Sequence, residues 1–316
     1  MKYEVFPNPF EETHERVSKR NLLHAAKILL LLFVLTAPVA LVAGNNEMTV
    51  RTSSGYHASD FIKKIIRYNV SAEAMCARAA ELAKAEEARA AAEAAKAEEA
   101  KRAVRLAAMK AEYNLVMNTA IGMYDMMDLE NEDLSLKAFE YAWLGYHNLL
   151  KKGVLHNTGL LTICDFSQSS SKERMYVIDV RNKKVLYKTF VAHGINSGEE
   201  YASAFSNQES SCKSSLGFYV TRKTYYGVNG LSLRIEGMDK GFNDNAFKRS
   251  IVIHGASYVS ERILHKYGVM GTTFGCPAIP NEVSEELIPL MKNGSCFFIY
   301  YPSKKYIAQS TVLNGM

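Results

Sequence analysis

The chain has 316 residues, 48% hydrophobic and 22% charged, ordinary values for a globular protein long enough to build one or two domains with cores of their own. Its net charge of +5 is mild. With no dense Lys/Arg block and no interleaving of aromatic and basic residues, it argues against nucleic-acid binding.

Residues 1–44 read as a targeting segment. Ile28–Ala43, "ILLLLFVLTAPVALVA", is an apolar run of 16 residues without a charge, preceded by Arg16, Lys19, Arg20 and Lys27. A basic flank before an apolar run, with Leu41-Val42-Ala43 as an acceptable cleavage site, describes a signal peptide. A retained signal anchor is the other reading, although the run is shorter than the roughly 20 residues of a membrane span. A buried core helix is opposed by Pro38 and the one-sided charge. Either of the first two readings keeps the basic side in the cytoplasm and exports the chain from residue 45 onward. The expected location is therefore the periplasm or cell envelope, either free or held at the inner membrane.

Residues 45–70 are polar and read as a linker. Residues 71–116 are dominated by Ala, Glu, Lys and Arg and lack Gly and Pro, which puts helix propensity near its maximum. Glu81/Lys84, Glu93/Lys96 and Glu98/Arg102 stand at helical spacing and add local support. "AKAEEA" occurs at Ala83 and again at Ala95. A 12-residue repeat turns a helix about 120° past whole turns, so it builds no single face. With Ala a poor seam residue, a long solvated helix is expected rather than a strong coiled coil.

From residue 117 the composition changes. Ser135 is a candidate N-cap for a helix carrying Leu136, Phe139 and Leu144, and Gly153 is its stop. The period then switches to two. "LLTICDF", "RMYVIDV", "KVLYKTFVAH", "GFYVTRKTYY", "LSLRIEG", "SIVIHG" and "CFFIYY" read as strands, with short helices at Ser257–His265 and Glu282–Lys292. The expected fold is mostly β within an α+β class: an antiparallel β-sandwich or partly closed barrel, with residues 117–316 forming one domain around a core at 134–301.

The chemistry concentrates in "IVIHGASYVSERILHKYGVMGTTFGCPAIP", Ile251–Pro280, where Cys276 stands 22 residues after His254. A thiol attacks an amide only as thiolate, so it needs a base, often histidine, within hydrogen-bond reach. His254 ends a strand and Cys276 comes after a loop, an arrangement that can bring the two side chains together. Gly275 lets its own N–H and that of Cys276 turn toward a developing oxyanion. The bland reading, a small cysteine filling a core, stays open on these residues alone. So does a zinc site from His193, His254, His265 and Cys276, though no pair has short ligand spacing. His193 reads better as a structural histidine. The five cysteines leave at least one thiol unpaired, and Cys164 and Cys296 are either a strand-to-strand disulfide or buried thiols.

"IVIHGASYVS" and "GTTFGCPAIP" resemble the signature of the L,D-transpeptidase catalytic domain family, the YkuD-like cysteine enzymes of bacterial peptidoglycan. The similarity is greatest to the branch whose motif ends in Gly-Cys-Pro-Ala-hydrophobic-Pro. "LLTICDFSQSSSKERMYVIDV", "VAHGINSG", "FSNQESSCKSSLGFYVT" and "YYGVNGLSLRIEGMDKGFNDNA" resemble further family blocks in family order, over Leu134–Tyr301. The resemblance implies Cys276 as nucleophile, His254 as general base and acid, peptidoglycan stem peptides as substrate, and no cofactor or metal. It also implies substrate contacts near Tyr258, Thr273 and Phe274, and a wall beside the sheet supported by Ser214, Ser215 and Gly217. The expected reaction is acyl transfer: Cys276 attacks an L,D bond, a terminal D-amino acid leaves, and the thioester passes to an amine. Water as acceptor would make an L,D-carboxypeptidase, and loss of activity a wall-binding module. Thr272 and Thr273 stand where the branch usually has Arg and Ser, and Phe274 and Ala278 stand where the more widespread family motif has His and Asn or Arg; the uncharged Thr272 removes a partner for a substrate carboxylate. No side chain offers itself to orient His254.

Overall fold

The computed structural model describes residues 58–315. The targeting segment at 1–44 and residues 45–57 of the linker lie outside them. The chain divides into two units at Glu98–Glu99. In the first unit the described residues are all helical and belong to α1 (Ala58–Met126), where side chains such as Met75 and Leu82 are exposed. Helix propensity accounts for this, because a sequence rich in Ala, Glu, Lys and Arg forms a helix without an apolar face to bury. The helix is longer than 71–116, taking in linker positions before it and residues 117–126 after it. Among the described residues no helix is long and apolar enough to cross a membrane.

In the second unit the last turns of α1 bury Ala120 and Tyr124, and α2 (Leu136–Lys151) comes next. Ser135 caps α2 as expected, its hydroxyl accepting from the Ala138 N–H at 3.3 Å, a contact that satisfies one of the unpaired donors of the first turn. Phe139, Trp143, Tyr146 and Leu149 form the buried stripe. Gly145 lets the helix backbone settle on Phe218, for a Cβ there would come within 2.0 Å of the phenyl ring.

Among the described residues eight strands form one sheet: β1 (Leu160–Asp165), β2 (Met175–Asp179), β3 (Lys184–Thr189), β4 (Gly217–Gly227), β5 (Gly230–Gly237), β6 (Val252–Ala256), β7 (Ala278–Pro280) and β8 (Cys296–Tyr300). Their order is β3-β2-β1-β8-β4-β5-β6-β7. The antiparallel expectation needs correction, since β1–β8 and β6–β7 are parallel. Strand β8 returns from the chain's far end to lie between β1 and β4, and the link from β6 to β7 is long enough to hold α3 (Glu261–Tyr267). Periodicity fixes where strands are but not who pairs with whom. The sheet curls until its ends nearly meet: the Ala192 N–H, just beyond β3, donates to the Ala278 carbonyl of β7 at 2.8 Å.

Helix α4 (Asn281–Met291) covers β4–β6 on one face. The C-terminal segment with α5 (Lys304–Gln309) is tied down by buried Asp239. That carboxylate accepts from the Phe218 and Val312 N–H groups and the Tyr306 and Ser310 hydroxyls at 2.6–3.1 Å, the compensation a buried charge requires. Cys164 and Cys296 are free buried thiols, three places out of register on neighbouring strands: Cys296 pairs with Leu161 and Cys164 with Ile299.

Candidate active site

Strand β6 is buried along its length, and its alternation sorts the residues by face. A Cβ on Gly255 would meet Asn281 Oδ1 and Ser284 Oγ at 2.7 Å, so that position faces α4. His254 therefore points to the other side of the sheet. Its Nδ1 lies 2.9 Å from the Gly255 carbonyl oxygen. A carbonyl only accepts, so Nδ1 carries the proton and Nε2 holds the free lone pair. The orienting group that no side chain supplies is thus a backbone atom.

The parallel register pairs His254 with Ala278. Two residues back on each strand, Val252 comes beside Cys276, and the Val252 N–H donates to Cys276 Sγ at 3.5 Å. The thiol in turn points at the Ser250 carbonyl, 3.7 Å away. Imidazole and thiol thus belong to adjoining segments, offset by two residues or about 7 Å of strand. Burial pushes the Cys276 thiol above its ordinary value, while the Val252 N–H and the Arg249 guanidinium pull it back. Both groups favour thiolate for the same reason, positive charge density near sulfur.

The loop carrying Cys276 is held from several sides. Thr273 Oγ1 donates to the Cys276 carbonyl at 2.8 Å and accepts from the Gly275 N–H at 2.9 Å. Gly275 has φ +123°, and a Cβ there would press within 2.8 Å of the Lys213 carbonyl and 3.0 Å of Arg249. Only glycine fits that backbone and that space. Of the two expected oxyanion donors, the Gly275 N–H is thus occupied by Thr273 Oγ1, and the Cys276 N–H makes no hydrogen bond among the described residues.

Arg249 carries no pattern that singles it out. It donates to the Ser206 and Lys213 carbonyls at 2.8 and 2.5 Å and to the Ser211 and Ser215 hydroxyls, clamping the 206–215 loop beside the nucleophile's turn. An arginine in a polar loop looks like any surface arginine in sequence.

The other expected residues divide. Tyr258 is half-buried, backs Gly271 and lies within the field of Cys276, and Phe274 is 81% exposed two residues before the thiol. Ser214, Ser215 and Gly217, expected to support a wall beside the sheet, are buried and bonded within the scaffold. Ser214 Oγ accepts from the Gly194 N–H, Ser215 Oγ donates to the Ser206 carbonyl, and Gly217 abuts Asp239. The His193 ring lies between Arg174 Nη2 at 2.8 Å and the Gly198 carbonyl at 3.0 Å. Among the described residues no three His, Cys, Asp or Glu side chains gather as metal ligands.

A scan against protein-family models matches residues 130–300 to the L,D-transpeptidase catalytic domain. Similar solved structures include an L,D-transpeptidase from Mycobacterium smegmatis, at 12% identity and TM-score 0.28, covering 45% of this chain and 59% of that one. Another is a point mutant of the helical cell shape determining protein Pgp2 from Campylobacter jejuni, at 15% identity and TM-score 0.29, covering 55% and 60%. The chain thus spans about three fifths of the length of each. A search of curated proteins finds no match.

Proposed function

Because this chain belongs to the family of L,D-transpeptidase catalytic domains, we propose that it is a cysteine acyltransferase acting on the stem peptides of peptidoglycan. In the proposed reaction Cys276 gives its proton to His254 Nε2, and the thiolate attacks the carbonyl on the L-centre side of an L,D bond. The tetrahedral oxyanion takes the Cys276 N–H as a donor. The terminal D-amino acid leaves as an amine, receiving the proton from His254. An amine acceptor, deprotonated by the same imidazole, then opens the thioester and regenerates the thiol. The observation that carries the reading is a tautomer-fixed imidazole and a thiol on adjoining segments, the thiol receiving the Val252 N–H.

The test is product analysis by mass spectrometry of stem tetrapeptides incubated with purified protein. Release of the terminal D-amino acid with formation of a dimer, or of an adduct with added amine, is the expected result. Release without any amine product would make the enzyme a carboxypeptidase, and no release would sink the acyltransfer reading. We also propose export, on the apolar run Ile28–Ala43 and its basic flank. A reporter active only outside the cytoplasm and fused at Met316 should be active; a silent one contradicts export.

A further inference from the structure

Arg234 has no part in the reaction as drawn, yet the sheet places it on the catalytic side. In the β5–β6 register Ser232 pairs with His254 and Arg234 with Val252. Directly paired residues of an antiparallel ladder share a face, so Arg234 lies on the face of His254, opposite the residue whose N–H touches the Cys276 sulfur. Its guanidinium carbon is 4.5 Å from the Tyr225 ring centroid and 5.9 Å from that of Phe247. Phe247 begins the short segment that runs through Ser250, whose carbonyl faces the thiol.

The neighbouring arginines are engaged: Arg222 with Glu236, and Arg249 with the 206–215 loop. Arg234 is exposed and makes no ion pair or side-chain hydrogen bond among the described residues. A guanidinium stacked on aromatic rings keeps its plane fixed and its N–H edge free, the geometry that takes a carboxylate through two parallel hydrogen bonds. The donor peptide of the proposed reaction carries such a group next to the scissile bond, the α-carboxylate of the departing D-amino acid.

Resting on that reading, the geometry points to Arg234 as the residue that recognises a free carboxylate of the acyl-donor peptide. Its bond orients the scissile carbonyl toward Cys276. Lysine would keep the charge but lose the fork and the stacking.

The experiment compares wild type, Arg234→Gln and Arg234→Lys on three peptides. These are a stem tetrapeptide with free carboxylates, its C-terminal amide, and a form amidated at every carboxylate except the terminal one. Iodoacetamide alkylation of Cys276, unchanged in the variants, shows that the fold and thiol are intact. On the free peptide Arg234→Gln should lose roughly 10- to 100-fold in kcat/KM, as for loss of a charge-assisted hydrogen bond, with Arg234→Lys in between. On the peptide lacking the recognised carboxylate, wild type and Arg234→Gln should be equal. Equality on the C-terminal amide identifies the terminal carboxylate, and equality on the other form identifies an internal one. An equal loss on all three peptides, or no loss on any, overturns the proposal while leaving the acyltransfer reading standing. Wild type inert on every peptide would overturn the acyltransfer reading itself, and this inference with it.

Discussion

His193 and His254 are both nearly inaccessible, at 1% and 3% exposure, and each has a ring nitrogen within 3.0 Å of a backbone carbonyl. Their second nitrogens separate them. At His193, Nδ1 meets Arg174, which can only donate, so Nδ1 accepts and Nε2 donates to Gly198. Both nitrogens are spent. Burial first and Arg174 second push the ring's pKa down to about 4, and the imidazole stays neutral. At His254 the Gly255 carbonyl fixes Nδ1–H and leaves Nε2 without a partner among the described residues. Two arginines differ likewise. Arg174 helps hold a histidine neutral, whereas Arg249 lies where it favours a thiolate. Burial alone therefore says little about a histidine's role; the hydrogen-bonding capacity of its neighbours assigns it.

The contrast is broken most directly by exchanging the fates of the two rings. His254→Ala should lower kcat about 100-fold or more, the usual contribution of general acid–base catalysis, measured by release of the terminal D-amino acid. His193→Gln should leave kcat of the folded enzyme within a few-fold. Equal losses would mean that His254 is no more than another scaffold histidine.

The next effect is on stability. With its pKa lowered in the folded state, His193 binds its proton only after unfolding at any pH between about 4 and the ordinary histidine value. More protons on the unfolded chain mean stability that rises with pH, so acidification is destabilising across that window. From pH 7 to pH 5 wild type should lose about 2 kcal/mol relative to His193→Gln, read from urea midpoints. A parallel pH dependence of the two proteins would show that His193 is not held neutral.

Much of the site is legible in the sequence. The spacing of His254 and Cys276, the Ser135 cap and seven strands can be read from residue types and periods. Strand β7 escapes such a reading because Ala278–Pro280 is too short to show a period. The parallel pairings escape it because alternation carries no strand order. The orienting group of His254 is a carbonyl, which every residue has. Arg234 is findable: in "LSLRIEG" the apolar Leu231, Leu233 and Ile235 claim one face and leave Ser232 and Arg234 the other. The long helix is readable from propensity alone, though its ends are not, since neither boundary carries a sharp cap signal.

A smaller effect sharpens the contrast between the arginines. Arg249→Gln removes the positive charge that favours the Cys276 thiolate. Alkylation by iodoacetamide near pH 8 should slow several-fold, with the inflection moved to higher pH, while Arg249→Lys recovers part of the rate. An unchanged pH profile would reduce Arg249 to a clamp for the 206–215 loop.

The central claim is that Cys276 carries the acyl group. Intact-protein mass spectrometry after brief incubation with a stem tetrapeptide, combined with peptide mapping, tests it most directly. The account predicts a mass gain equal to the peptide less its terminal D-amino acid, located on Cys276 in wild type and absent from Cys276→Ala. An adduct of that mass persisting in Cys276→Ala, or mapped to Cys212 in wild type, would contradict it.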